Sequence, residues 1–339
     1  MTRTHQCSIV TYHYVRDLPY TRYPKIKGLL TSQFKEQLAY IERHYQFVTV
    51  NDCLNAIYSN ADLPVNSILL TFDDAYIDHF TIIFPILEEK GIQGCFFPPA
   101  KAILKHEVLD VNKIHFLLAS ASNIHKLLQD VYEYLDTYRS EYALESNDYY
   151  FSKLGRAGPF DSKEAVFIKK LLHVELDEAL RKLIVDQLFR KYVSDDEASF
   201  SRELYMSVDQ IKCMSRNGMY IGSHGYNHYW LNALPAEKQE QEIDKSLQFL
   251  SSVDAPTDDW MMAYPYGAYD NSLIGILKKK NCKLALTTKV DIAALNKDNA
   301  YTLERLDTNY LPKDAKKEAN IWTKKIMRRL CFVQINLLI

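Results

Sequence analysis

Two short stretches of this 339-residue chain hold side chains able to do hydrolytic chemistry. Leu69-Leu70-Thr71-Phe72-Asp73-Asp74 is an apolar run that ends on two adjacent carboxylates, and Met219-Tyr220-Ile221-Gly222-Ser223 runs into His224-Gly225-Tyr226-Asn227-His228. One carboxylate with two imidazoles is the ligand set of an open catalytic zinc-type site, which keeps a coordination position for water. The spare carboxylate is then the base. Adjacent aspartates on an extended strand face opposite sides, so both reach one site only if the chain turns at Asp73-Asp74, a turn that Ala75-Tyr76 can supply. Asp74 or Asp78 capping a helix that begins near Tyr76 accounts for the dipeptide equally well. His224 and His228, four apart, share a face if helical and can converge in a loop. A third run, Met262-Ala263-Tyr264-Pro265-Tyr266-Gly267, ends in an aromatic, Pro and Gly loop that can expose backbone N–H groups and a ring beside a ligand.

These residues need elements that deliver them. Ser67 to Phe72 is too short and too evenly apolar for a surface helix and reads as a buried parallel strand. Comparable runs occur at Ser8 to Tyr14, Gln93 to Phe97, Met219 to Ser223, Trp260 to Tyr264, Lys283 to Thr287 and Tyr301 to Leu306. Helical periodicity falls between them: Phe34, Leu38, Ile41 and Tyr45 after a candidate N-cap Ser32, then Ile82 to Glu89 ending at Gly91, then Ile243, Leu247 and Leu250. Strand-helix repetition of this kind predicts a parallel sheet with crossover helices. Residues 111–203 break the rhythm with helical pattern alone, divided by the loop-like Gly155 to Asp161. The expectation is one domain over 1–339 with 111–203 inserted as a helical excursion, which barrel loops accommodate without disturbing the sheet.

Composition narrows the partners. A net charge of −2 offers no general attraction for nucleic acid or acidic lipid, and an apolar fraction of 47% is that of a globular protein. The 24 tyrosines suit a carbohydrate groove and suit ordinary packing equally well. Cys7, Cys53, Cys95, Cys213, Cys282 and Cys331 show no disulfide or zinc spacing. The first residues lack the apolar core of a secretory signal, so a cytoplasmic protein is expected. No run is long enough to span a bilayer. Lys324, Lys325, Arg328 and Arg329 precede the apolar Leu330 to Ile339, an end that can rest on an anionic membrane surface as a peripheral contact or dock on the body, docking being the favoured reading. Oligomeric state is not readable.

With these motifs assembled, the chain resembles the polysaccharide deacetylase family, the carbohydrate esterase family 4 or NodB-homology group. The resemblance rests on Thr71-Phe72-Asp73-Asp74, on His224-x-x-x-His228 within Gly222 to His228, and on Tyr264-Pro265-Tyr266-Gly267, in the family's order and spacing. It covers most of residues 7–310 outside the helical insertion. It implies an α/β fold, a deformed (β/α) barrel of about seven parallel strands, with a divalent metal held by Asp74, His224 and His228 and with Asp73 as general base on metal-bound water. Zinc suits the ligands, and Co2+, Ni2+ or Fe2+ is also compatible. Tyr264, Pro265 and Tyr266 fall on the substrate side, the backbone N–H of Tyr266 joining the metal in stabilising the oxyanion. The implied reaction is hydrolysis of an N-acetyl group on a sugar or glycan intermediate, releasing acetate and an amine.

The chain departs from the family pattern twice. Where the pattern has an arginine before Pro-Tyr, this chain has Ala263, so Asp73 needs another partner; Arg305 is the candidate, though it also reads as an ordinary strand-end arginine. No histidine follows His228, so the late Leu-x-His that supplies the general acid is missing. Thr11-Tyr12-His13 resembles the branch in which an early histidine is the acid, and in a closed barrel the first and last strands are neighbours, which makes His13 the candidate acid. The alternatives are a hydrolase of another non-peptide amide, of formamide or ureide type, and a silent carbohydrate-binding pseudoenzyme. Asp73, Asp74, His224 and His228 are all present, which favours catalysis.

Overall fold

The computed structural model describes residues 5–158 and 161–327. Arg328, Arg329 and Leu330 to Ile339 of the expected basic-apolar tail lie outside the described residues. The strands are β1 (Gln6–Tyr12), β2 (Gln46–Phe47), β3 (Ser67–Asp73), β4 (Gly94–Phe97), β5 (Tyr220–Ile221), β6 (Trp260–Ala263), β7 (Cys282–Leu286), β8 (Ala293–Ala294) and β9 (Leu306–Asp307). β5, β4, β3 and β1 lie side by side in parallel, β9 joins β1 in parallel, and β6 pairs with β7 in parallel. Single bridges, Ser223 to Met262 and Leu286 to Leu303, carry the order from β5 to β6 and from β7 towards β9. This is an α/β fold with a mostly parallel sheet, in keeping with the expected deformed barrel.

Every residue of β3 is buried, as a strand covered on both faces requires. The two-residue period decides what each face holds. Ile9, Leu69, Cys95, Phe97, Met261, Ala263, Leu284 and Leu286 alternate along their strands and pack into one core. Burying an aliphatic side chain of this kind contributes about 1.5–3 kcal/mol. Further along the same alternation come Thr11 on β1, and Thr71 and Asp73 on β3, so the apolar face becomes polar at the C-terminal ends of the strands. The site is assembled there.

Three local expectations are corrected. The helix Thr31–His44 starts before Ser32, and its N-cap is Leu30, whose N–H donates to Gln33 Oε1 at 3.2 Å. Tyr301 to Leu306 is not a continuous strand; it contributes the Leu303 bridge before β9. β2 and β8, two residues each, are too short to leave a periodic signal. The helix expected at Ile82 to Glu89 begins earlier, as a wide turn over His79–Ile83 that continues into Phe84–Glu89, and Gly91 follows at φ +65°.

The chain divides into two compact units, Leu18–Lys27 with His106–Ser201 in one and the remainder, holding all the strands, in the other. The helical unit has its own core, in which Leu127, Val131, Leu135, Phe167, Ile184 and Leu188 are fully buried. Its helices start on local caps: Asn123, Ser146, Ser162 and Asp177 each accept a hydrogen bond from a backbone N–H in the following turn. Lys113, fully buried, is paired with Asp186 and with Glu197 at 2.8 Å. Among the described residues no helix is long and apolar enough to cross a membrane.

Candidate active site

The turn after β3 is built from two consecutive left-handed residues, Asp74 at φ +72° and Ala75 at φ +55°. An L-residue in that region costs roughly 1–2 kcal/mol, so the turn has to be held from outside. Asp74 N–H donates to the Phe97 carbonyl at 3.2 Å, and Met206 N–H donates to the Ala75 carbonyl at 2.9 Å. The strand would have sent the two carboxylates to opposite faces. The turn brings both into one buried cluster.

Asp73 faces Arg305. The guanidinium donates to both carboxylate oxygens, Nη1 to Oδ1 at 2.9 Å and Nη2 to Oδ2 at 2.8 Å, a planar fork that fixes the carboxylate's orientation. Arg305 Nε donates to the Thr287 carbonyl at 2.9 Å and Nη1 also reaches Thr71 Oγ1 at 3.3 Å, so the arginine is itself anchored. Burial raises the Asp73 pKa, but Arg305 followed by His224 outweighs it and holds the group at about 2. Asp73 is therefore ionised throughout the neutral range.

Asp74 meets the two histidines. Its Oδ1 lies 3.5 Å from His224 Nε2 and 3.3 Å from His228 Nε2. Those separations exceed the roughly 2.7–2.9 Å of a charge-assisted hydrogen bond. They match the spacing of neighbouring ligands around one ion with bonds of about 2.0–2.2 Å. Asp74 Oδ1 is also buried with no hydrogen-bond partner, an expensive state for a carboxylate oxygen unless a cation takes it. The three donors form the one group of metal-ligating side chains found among the described residues. Their far atoms are tied down. Asp74 Oδ2 accepts from the Tyr76 hydroxyl at 2.7 Å, and His224 Nδ1 donates to the Ala263 carbonyl at 2.7 Å. His228 Nδ1 pairs with the Tyr266 hydroxyl at 3.0 Å. Such outer partners set the tautomer that leaves each Nε2 lone pair facing the cluster. Burial pushes the His224 pKa down to about 4, so the imidazole is neutral near pH 7, the form that binds metal. Against the cost of burial, the neighbouring His228, then His13 and His224, hold Asp74 well below the usual carboxylate range.

The loop that carries both histidines leaves room for glycine only at Gly222, where a Cβ would meet the Phe97 ring at 2.6 Å and the Met261 carbonyl at 2.7 Å. His228 itself takes φ +61°. In the third motif, Tyr266 stands at φ +59° in the tight turn Pro265–Gly267 and is half-buried, its ring edge-on to His228 and stacked on Trp230 at 4.5 Å. Tyr264 is placed differently from the expectation that it faces substrate. It is fully buried, with its hydroxyl on the Tyr301 carbonyl at 3.1 Å, so its side chain belongs to the core. Pro265 is buried against the histidine loop, at 3.6 Å from where a Gly225 Cβ would stand. His13 is exposed, and it is among the neighbours that lower the pKa of both Asp73 and Asp74. Asp78 does not cap the following helix through its side chain; it takes Arg16 Nε at 2.6 Å.

Several participants carried no motif. Thr11 Oγ1 donates to Asp73 Oδ2 at 3.4 Å, and Tyr76 holds Asp74. His79 is buried and donates from Nε2 to the His13 carbonyl at 2.9 Å. Glu242 accepts backbone N–H bonds from the loop between the histidines. The only sequence signal for Glu242 is a carboxylate at helical spacing among residues that ought to be apolar.

Comparison with known proteins places this geometry in context. Residues 189–285 match the family model described as polysaccharide deacetylase, a span that holds both histidines and the third motif. The protein YxkH of Bacillus subtilis, described as of the same family, is 25% identical over 108 residues, 32% of this chain; the match spans 38% of that relative's length. Three solved structures share the fold over almost the whole chain: the deacetylase PplD of Streptococcus pyogenes in complex with acetate (16% identity, TM-score 0.55, 96% of this chain and 98% of that one), IcaB from Ammonifex degensii (18%, 0.52, 90% and 93%) and a de-N-acetylase from Aggregatibacter actinomycetemcomitans (14%, 0.51, 96% and 99%). At these identities the likeness is one of fold.

Proposed function

We propose that this chain, whose residues 189–285 match the polysaccharide deacetylase family model, is a metal-dependent hydrolase that removes N-acetyl groups from a sugar or glycan intermediate of surface polysaccharide or glycoconjugate assembly. The observation that carries this is the pairing of two aspartates with opposite surroundings. Asp74 presents an unpartnered Oδ1 to two Nε2 atoms, while its neighbour Asp73 is locked by an arginine fork. Asp74, His224 and His228 are the residues that would hold the divalent ion, zinc being our assignment. When bound, such an ion supplies Lewis acidity and makes water a nucleophile near neutral pH.

The chain's own residues supply the rest. Asp73, ionised and unable to rotate, accepts a proton from the attacking water as its oxygen bonds to the carbonyl carbon. Its low basicity means that the proton does not stay. The Tyr266 backbone N–H is the assigned donor to the oxyanion. His13, exposed beside both carboxylates, gives a proton to the nitrogen as the C–N bond breaks, and acetate and the sugar amine leave. Half-exposed Tyr266 and Trp230, stacked on each other, offer aromatic surface beside His228 for a sugar ring.

The test is acetate release from N-acetylated nucleotide sugars and chito-oligosaccharides by the zinc-loaded chain, with Asp73→Asn and His13→Ala beside it. Turnover by the wild type, lost in both variants while each retains zinc, is the expected result. A wild type that binds zinc and sugar but releases no acetate would refute the deacetylase assignment. Turnover undiminished in His13→Ala would remove His13 from the mechanism.

A further inference from the structure

The helix Ala236–Ser252 buries polar groups where an amphipathic helix should bury carbon. Gln239, Glu242 and Ser246 are spaced by three and by four, which puts them on one face. All three are buried, Glu242 at 4% exposure. Each reaches a different part of 223–231. Ser246 Oγ is hydrogen-bonded to Ser223 Oγ, one residue before the first histidine, and Ser223 Oγ also accepts the Gly225 N–H at 3.1 Å. Glu242 Oε2 accepts the backbone N–H of Asn227 at 2.8 Å and of Tyr226 at 3.3 Å, while its Oε1 takes the Asn227 side-chain amide. Gln239 Nε2 donates to the Leu231 carbonyl at 3.0 Å, beyond the second histidine, and to the Asp270 carboxylate at 3.1 and 3.2 Å.

The loop between the histidines offers its carbonyls elsewhere, Gly225 to the Ala100 N–H at 3.3 Å and Tyr226 to the Lys101 N–H at 2.9 Å, while its N–H groups at 226 and 227 are met by the helix. Gly225 and His228 take left-handed φ values of +72° and +61°, so no regular ladder runs through it. Its N–H groups at 226 and 227 point towards the helix, and a carboxylate with two fixed oxygens is the side chain that can hold both and a neighbouring amide at once. The burial cost of that charge is offset by donors from a single loop, a use of a buried carboxylate that stability alone does not call for, since apolar packing of the same volume is often as stable.

We propose that Glu242 is a positioning residue of the metal site. It sets the separation of His224 and His228 by gripping Tyr226 and Asn227 between them, and Ser246 and Gln239 pin the two ends of the same segment. The proposal rests on the reading of Asp74, His224 and His228 as the metal triad.

The test compares wild type, Glu242→Ala and Glu242→Gln by zinc affinity against a chromogenic chelator, by the visible absorption of the cobalt-loaded chain, and by thermal unfolding of the metal-free chain. Glu242→Ala is expected to weaken zinc binding about 10–100-fold, the usual loss when an outer partner of a ligand is removed, and to alter the cobalt bands. Glu242→Gln keeps an oxygen for the two N–H groups, and Asn227 can turn its own oxygen to the new amide, so most of the affinity returns. A Glu242→Ala chain that melts earlier but binds zinc as tightly, with the wild-type cobalt spectrum, shows a merely structural role and overturns the proposal. Should that variant not fold, Glu242→Asp, which withdraws the carboxylate by one carbon, carries the same reading: wild-type affinity and spectrum there overturn it. A wild type that takes up no metal would sink the triad itself, an outcome distinct from equal binding by wild type and variant.

Discussion

Replacing Arg305 by methionine keeps most of the side-chain volume and removes the fork that holds Asp73. Arg305 is 2% exposed and gives Nη1 and Nη2 to the two oxygens of Asp73 at 2.9 and 2.8 Å. Removing one partner of a buried pair leaves the other charge uncompensated, at a cost of about 3–5 kcal/mol. The pKa of Asp73 gives an independent handle on the same pair. Burial raises it and Arg305 leads the opposing influences, for a result of about 2 against the ordinary 3.8. At about 1.36 kcal/mol per pKa unit the depression corresponds to roughly 2.5 kcal/mol of stabilisation. A carboxylate whose folded pKa is depressed contributes stability that is present above the unfolded value and is lost as pH falls towards about 2. The variant lacks that contribution, so its deficit against wild type should be full at pH 5–7 and narrow by about 1 kcal/mol by pH 3. Denaturant unfolding of metal-free wild type and variant at several pH values measures this, and kcat/KM of the zinc-loaded chains should fall about 10²-fold as the proposed base, Asp73, loses its orientation. Equal unfolding midpoints at pH 7, or a deficit that does not change with pH, would refute the reasoning.

Two further outcomes follow from the same geometry. Tyr76→Phe deletes the hydroxyl that holds Asp74 Oδ2 at 2.7 Å and should weaken zinc binding by about tenfold or more, read by chelator competition, with the buried ring stack on Tyr14 retained. His79, buried and pushed down from 6.5 to about 4, is a group whose unfolded form takes up its proton first, so the chain should lose stability as pH falls from 6.5 to 4, by up to about 3 kcal/mol. His79→Phe, in its setting of Phe72, Tyr76 and Phe96, should flatten that slope in the metal-free protein; an unchanged slope would show that another group causes it.

The strands that deliver the site were legible because a buried strand has a local signature, a short apolar run that ends at polar residues, and Ser67 to Phe72 lies within β3 as observed. The Asp-Asp turn, the paired histidines and the Tyr264 to Gly267 loop were legible for the same reason: each is a contiguous stretch whose residue types already limit what it can do. The cap at Leu30, the short β2 and β8 and the single-bridge entry of Leu303 were not, since two or three residues carry no period. The helical excursion was legible as a composition shift at 111–203, but the unit it forms also takes in Leu18–Lys27, and no local pattern shows which distant segment completes a core.

Side-chain partners drawn from far along the chain are where sequence stopped. It named Arg305 as a candidate without a distance; only the fold sets its guanidinium on a carboxylate 232 residues away. It put Tyr264 beside substrate because it shares a motif with Tyr266, and the fold buries it. It gives Tyr76 to the turn without its bond to Asp74, and it passes over Glu242, whose type is unremarkable where it stands. A residue's type and its local period determine which element it joins and which chemistry it is capable of. Which atom it faces depends on how several elements pack, and that is decided by the whole core at once.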